Sequence, residues 1–398
     1  MKQDNRRSFL KKSVLGLSGA ALMPGILKTG TNLKAAADLP LRTLGRTGIK
    51  VPLISMGTSD ATSAGIIKAA YDAGIKLFFS ATYYGEGKNE ILVGEALKGF
   101  PRDSFIVGTA IPPDGMDMKT GTFKNGFDQE AYIKKAEGSL KRFGFDHVDF
   151  ILFPYAGKRE TVMHEGVLKA LQQLKKQGKT RFLGIASHGD TEEALRAAAD
   201  TGIYDVAMPA YNYKIQNKDS MNSAVAYAGK AGMGIVAMKT TAGAFYNKSG
   251  PGLNTDAAFR WVLQNENISS IVSGMSTLEQ LNKNLALLND LKITEQDLKD
   301  LNLTSRMNET GIYCLQCRQC ISSCPFELDI PTIMRSYMYA YGYKNISQAW
   351  NTLAQADYSG QCADCSGCMV KCSSGFDIRK KILDISRLKD VPPDFINV

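Results

Sequence analysis

Between residues 38 and about 305, short apolar runs rich in β-branched residues alternate with longer stretches whose apolar positions recur at i, i+3 and i+4. The short runs predict strands at Val51–Gly57, Lys76–Ala81, Phe105–Thr109, Val148–Phe153, Phe182–Ala186, Val206–Tyr211, Gly234–Met238 and Ser270–Gly274. Segments such as Ala131–Phe143, Val167–Gln177, Glu192–Ala199 and Leu278–Leu288 carry the helical period. Eight strands, each followed by a helix over about 270 residues, predict an α/β fold of the (β/α)8 TIM-barrel type across residues 38–306. A doubly wound open sheet is the alternative. No G-x-G-x-x-G follows any strand, which removes its strongest support.

The pattern changes after residue 306. All eight cysteines lie in the last 85 residues, in two runs: Cys314, Cys317, Cys320, Cys324 and Cys362, Cys365, Cys368, Cys372. Each reads C-x2-C-x2-C-x3-C, and the second repeats the first 48 residues on. This is the spacing of bacterial ferredoxins, in which the fourth cysteine ligates the other cluster. It implies two [4Fe–4S] clusters, one on Cys314, Cys317, Cys320 and Cys372, the other on Cys362, Cys365, Cys368 and Cys324. A disulfide framework is the bland alternative, but chance pairing does not produce identical copies. Tetrahedral zinc pairs two short ligand arms and leaves no role for a third and fourth cysteine. Pro325 follows the first run as in ferredoxins, and Ser373 stands at that place in the second. Between the runs, Ile330–Tyr341 and Asn345–Ala354 predict a helix pair with Tyr337, Tyr339, Tyr341 and Tyr343 at alternate positions. Residues 307–398 are therefore expected to form a small, mainly helical, ferredoxin-like iron–sulfur domain.

Residues 1–37 predict an address and not a structural element. Arg6-Arg7 opens a twin-arginine signature, an apolar run covers Val14 to Leu27, and Ala35-Ala36-Ala37 supplies a cleavage site near Ala37. The apolar stretch is short and glycine-containing for a bilayer span, so a periplasmic protein without a stable membrane anchor is expected. Export after folding suits iron–sulfur ligation, which needs reduced thiolates. The segment also holds seven of the Lys and Arg residues and one Asp, so the formal charge of +9 falls to about +3 without it. No basic run with interleaved aromatics remains, which argues against a nucleic-acid partner.

Leu41-Arg42-Thr43-Leu44-Gly45-Arg46-Thr47-Gly48, the stretch Gly74–Gly85 with Asn89-Glu90, Gly178–Ser187 and Gly274-Met275-Ser276 resemble, in order, the motifs of aldo-keto reductases. A branch of that family carries a C-terminal ferredoxin-like segment. The resemblance implies hydride transfer from NADPH to a carbonyl, with a tyrosine as proton donor helped by a lysine, an aspartate and a histidine. The tyrosine position is Tyr84. The aspartate position holds Phe79, the lysine position Ala110 and the histidine position Pro154. None of these three side chains relays a proton or orients a carbonyl by hydrogen bonding. Around the cofactor, Ser187 and Tyr211 match the nicotinamide-holding pattern, whereas His188 and Met208 replace its asparagine and glutamine. Gly274, Ser276, Gln280 and Asn284 match the part that holds the nucleotide phosphate and adenine. An NADP(H) site therefore stays open, supported at one end and eroded at the other. His188 and Lys239 end strands on the face where barrel enzymes carry their chemistry, and His188 offers an acid or base with a pKa near neutrality.

These readings point to an exported iron–sulfur oxidoreductase of aldo-keto reductase type with a degenerate tetrad, acting on a small molecule or a redox partner protein. The alternatives are an NADPH-dependent reductase with an altered proton relay and a non-catalytic binding or electron-carrier module. The sequence does not decide the oligomeric state.

Overall fold

The computed structural model describes residues 39–396, apart from Met118, residues 124–125, 244–253 and 307–311, Asp357 and Ser366. The export signal expected at residues 1–37 lies outside them.

Eight parallel strands close into a barrel: β1 (Ile54–Gly57), β2 (Leu77–Ala81), β3 (Ile106–Ala110), β4 (Val148–Phe153), β5 (Thr180–Ser187), β6 (Val206–Pro209), β7 (Gly234–Ala237) and β8 (Ile268–Gly274). Each pairs with its sequence neighbour, and β8 returns to β1 through Ile271–Ile54. Alternation along the strands divides the apolar residues. Phe79, Phe150, Leu152, Met208 and Val236 fill the barrel interior, whereas Phe78, Val107, Ile151 and Leu183 pack outward under the helices.

The predicted first strand is split. Lys50–Pro52 pairs antiparallel with Leu41–Thr43, and only Ile54–Gly57 joins the barrel. Pro52 has no N–H to donate to a ladder, so the chain breaks there. The hairpin lies against the N-terminal end of the barrel, where Arg42 donates to the carbonyls of Leu263 and Ile268 at 3.0 and 2.6 Å.

The outer layer comprises α1 (Ala64–Asp72), α2 (Lys88–Leu97), α3 (Gln129–Phe143), α4 (Glu165–Lys176), α5 (Thr191–Thr201), α6 (Lys218–Lys230), α7 (Thr255–Leu263), α8 (Leu278–Leu287) and α9 (Glu295–Arg306). Helix α3 shows how local signals set its bounds. Asp128 accepts from Ala131 N at 2.9 Å at the start, and Gly144 ends it at φ 69°. The motif residues Asn89 and Glu90 are structural. Glu90 is fully buried and accepts from Thr109, Ser139 and Arg142, joining β3, α2 and α3.

The cysteine-bearing segment has its own core, built on α10 (Ile330–Tyr337), α11 (Ile346–Ala354) and α12 (Ile378–Ser386). Residues 35–398 nevertheless form one compact unit. The segment docks on the C-terminal end of the barrel. A π-helical turn, Met338–Gly342, follows α10 and meets the loop after β7. The approach is close: a Cβ on Gly342 would lie 2.2 Å from Gly243 O. Among the described residues, no helix is long and apolar enough to cross a membrane.

Candidate active site

A cavity of about 160 Å³ lies at the C-terminal ends of the strands. Its floor is apolar: Phe79 points inward from the middle of β2, Ala110 ends β3, and Met208 and Met238 come from β6 and the end of β7. Tyr84, His188 and Lys239 stand on its wall, so the structure brings these three sequence candidates together. Its roof is Tyr339 and Tyr343, contributed by the cysteine-bearing segment. The tyrosines at alternate positions separate by the helical turn, because residues four apart share a face. Tyr339 and Tyr343 face the barrel, while Tyr337 and Tyr341 stack at 4.3 Å on the other side.

Phe79 and Ala110 line the cavity at the places where the resemblance puts aspartate and lysine. Pro154 does not line it. The next residue, Tyr155, takes φ 60° and sets its ring 5.8 Å from Tyr83 and 6.3 Å from His188. A tyrosine in left-handed backbone is sterically unfavourable. Lys239 has φ 57° and Gln316, in the chamber with His188, also φ 57°, so strained backbone recurs around the mouth.

Burial raises the Tyr84 hydroxyl well above its usual pKa, and nearby Tyr339, Tyr155 and Asp60 raise it further. Tyr84 is thus a weaker proton donor than free tyrosine. His188 departs from the sequence expectation of a pKa near neutrality. Burial lowers its pKa well below the usual value, and the charges of Lys239 and Arg335 push the same way. Burial also lowers the pKa of Lys239. Its Nζ donates to Tyr339 Oη at 2.9 Å and lies 4.4 and 5.1 Å from the ring centroids of Tyr339 and Tyr343.

The nucleotide candidates divide. Gly274, Gln280 and Asn284 line the far end of the cavity. Ser276 is held by the Gln280 side chain at 2.8 Å, and Ser187 turns to Gly189 O at 3.0 Å. Tyr211 is corrected outright. Its ring packs in the layer between sheet and helices against Trp261, and its hydroxyl meets Asn222 and Asn265 at 2.6 and 3.1 Å. The cause is strand alternation, which turns Tyr211 away from the inward-facing Ala210. Asp60 also stands at the far end, bound by Asn345 Nδ2 at 2.7 Å. A cavity of about 160 Å³ is below the roughly 300–1,000 Å³ usual for cofactor-sized ligands.

The eight thiols fall around two small chambers. Cys314, Cys317, Cys320 and Cys372 surround one chamber, with Ile330, Met334 and Ile378. Cys324, Cys362, Cys365 and Cys368 surround another, with Val370 and Ile382. Among the described residues, no three His, Cys, Asp or Glu side chains converge closely enough for a single metal ion. Four thiols around each chamber are the donor set that a [4Fe–4S] cluster takes. No disulfide joins the thiols. Backbone N–H groups of Gln316 and Ser374 donate to the sulfurs of Cys314 and Cys372 at 3.4 and 3.3 Å. Burial pushes the Cys314 thiol up to about 12 and Cys320 and Cys362 to about 11; metal coordination would deprotonate them. Cys314 also shares a small chamber with His188, Lys239 and Arg335. One thiol set thus reaches the barrel mouth.

The sequence profile of the aldo/keto reductase family matches residues 53–256. The chain belongs to the aldo/keto reductase family. A second profile, the 4Fe-4S dicluster domain, matches residues 313–376. An aldo/keto reductase joined to such a domain is an iron–sulfur oxidoreductase. This aldo/keto reductase is 28% identical over 306 residues to an L-galactose dehydrogenase of Arabidopsis thaliana, covering 66% of this chain and 92% of that protein. In fold it is similar to an aldo-keto reductase from Bacillus halodurans in its holo form (18% identity, TM-score 0.53, covering 67% and 96% of the two chains). It is also similar to one from Pseudomonas aeruginosa (24% identity, TM-score 0.52, covering 65% and 98%).

Sequence reasoning missed Arg335, Tyr155 and the roof tyrosines as parts of the mouth. Tyr155 follows Pro154 at a strand end, which was a usable signal. Arg335 and the tyrosines reach the barrel only through docking, which no local pattern encodes.

Proposed function

We propose that this aldo/keto reductase is an exported oxidoreductase in which two [4Fe–4S] clusters, and not a bound hydride donor, serve the barrel mouth. The carrying observation is that Cys314 shares a chamber with His188 and Lys239. Cys314, Cys317, Cys320 and Cys372 would hold the cluster proximal to the mouth, and Cys324, Cys362, Cys365 and Cys368 the distal one. When bound, the clusters supply one-electron transfer. The chain's own residues do the rest. Tyr339 and Tyr343 roof the cavity and exclude water, the apolar floor receives the body of a small molecule, and Lys239 presents a donor to it. Phe79 and Ala110 stand where the family's aspartate and lysine would help Tyr84, so the usual proton relay of the family is lost. Cys368 is exposed beside Met369, which is 77% exposed, and this edge suits a redox partner protein.

Anaerobically purified protein should be coloured, contain iron, and lose the thiolate-to-iron absorption in Cys317→Ser. A colourless, iron-free protein would contradict the proposal. Export rests on Arg6-Arg7. Replacing both by lysine should retain the chain in the cytoplasm on fractionation, and unchanged periplasmic recovery would overturn it.

A second reading, a working NADP(H) site, is favoured by Gly274, Gln280 and Asn284 at one end of the cavity. Fluorescence titration separates the two: the cluster-served reading predicts no saturable binding at millimolar NADPH.

A further inference from the structure

Two cations at the mouth meet no carboxylate among the described residues. Arg335 is 6% exposed; its guanidinium contacts Thr332 Oγ1 at 3.3 Å and lies 5.5 Å from the Tyr155 ring. Lys239 touches only the Tyr339 hydroxyl and the faces of Tyr339 and Tyr343. An uncompensated charge removed from water is costly, and proteins retain one where something of opposite charge answers it.

The two answer differently. Arg335 lines chambers with Cys314, Gln316 and His188 but not the main cavity, so its charge faces the thiol set. Lys239 lines the Cys314 chamber and the main cavity alike. Its backbone is held at φ 57° and its Nζ is tethered by Tyr339, which fixes the ammonium group at the cavity wall. Of the carboxylates on the same cavity, Asp60 acts on the Lys239 ammonium through space without forming an ion pair with it. Asp60 is engaged by Asn345 and crowds Gly274, where a Cβ would come within 2.2 Å of Oδ2. The space before Lys239 is small, with the apolar floor of Phe79, Ala110, Met208 and Met238 below and Tyr84 and His188 beside the lysine.

The geometry points to Lys239 as the anion-binding residue of the mouth. Its ligand is a small organic anion of a few carbons, such as a carboxylate, with the charged oxygen on Nζ and the body on Phe79, Ala110, Met208 and Met238. This names a substrate class for the mouth and rests on the cluster-served reading above. The binding test is an equilibrium measurement that does not depend on electron transfer.

Isothermal titration calorimetry of the cluster-loaded protein should use acetate, pyruvate and crotonate, with acetamide, pyruvamide and crotonamide as neutral counterparts. At least one anion should bind saturably and its amide at least about tenfold more weakly, as for a charge-assisted hydrogen bond. Lys239→Gln should weaken that anion by at least about tenfold, Lys239→Arg should keep it, and Lys98→Gln on the exposed end of α2 should change nothing. Lys239→Asn, a residue that tolerates left-handed backbone, provides a second loss variant if the glutamine variant folds poorly. Equal affinity for anion and amide overturns the assignment. So does binding indifferent to residue 239, or no saturable anion binding. A Lys239→Gln variant that shifts a cluster's potential without any loss of anion binding would assign the lysine to the cluster alone. Protein that binds the anion but never cycles its iron would fail the functional reading and leave this assignment standing.

Discussion

At the scale of single residues, the mouth presents apolar surface at two places where the resemblance puts a polar relay. Phe79 is 5% exposed and lies on the floor that Ala110 and Met208 share. A carboxylate put back at that place would find Ala110 at the partner position, and Lys239, on its cavity wall, is already tied to Tyr339. Phe79→Asp is therefore predicted to lower stability by about 3–5 kcal/mol, the cost of an unpaired buried charge, and to confer no NADPH-linked carbonyl reduction. Chemical denaturation and a coupled assay check both halves. That Phe79 and Ala110 would line the mouth was legible in the sequence, because the strands that carry them were. Tyr211 was not, since one step along a strand reverses the face a side chain takes. His188 was located correctly but not its protonation, which depends on burial and on Arg335, a neighbour 147 positions away in the chain.

At the scale of elements, the eight strands and their order were legible from apolar runs, and α3 was bounded by its own capping residues. The errors lie where a residue's covalent chemistry breaks a run, as Pro52 does, or where a turn depends on a distant partner. The π-helical turn Met338–Gly342 is of the second kind. Its Gly342 admits the backbone of Gly243, so Gly342→Ala should force the two segments apart and cost about 1–3 kcal/mol, as overpacking does. Hydrogen exchange should then quicken between Met338 and Asn345 while the barrel strands stay protected. Glu90 makes the matching test inside the barrel. Glu90→Gln leaves Arg142 without its anion and weakens the contacts to Thr109 and Ser139. A loss of about 2–4 kcal/mol in thermal or urea unfolding is expected, with cluster content unchanged.

At the scale of the whole molecule, two cores meet at one mouth. The barrel has an extensive apolar core of its own, whereas the cysteine-bearing segment counts five of its thiols among its core or packed residues. Removing iron with a chelator under oxidising conditions should therefore disorder that segment first, since metal binding there is coupled to folding. Circular dichroism should lose the C-terminal helical signal, and the barrel should retain a separate unfolding transition. The cysteine spacing made a dicluster domain legible; where the thiols sit relative to the barrel was not, because docking depends on Arg318 with Asp190, Asn345 with Asp60 and the Gly243–Gly342 approach. The central claim is that one cluster, and only one, is coupled to the barrel mouth. Redox potentiometry followed by electron paramagnetic resonance, on the cluster-loaded protein and its Arg335→Gln variant, tests it most directly. Loss of a positive charge beside Cys314 disfavours the reduced, more negative form of the neighbouring cluster. The account predicts two signals, of which one moves to lower potential and the other stays. Two signals that both stay, or that move together, would contradict it.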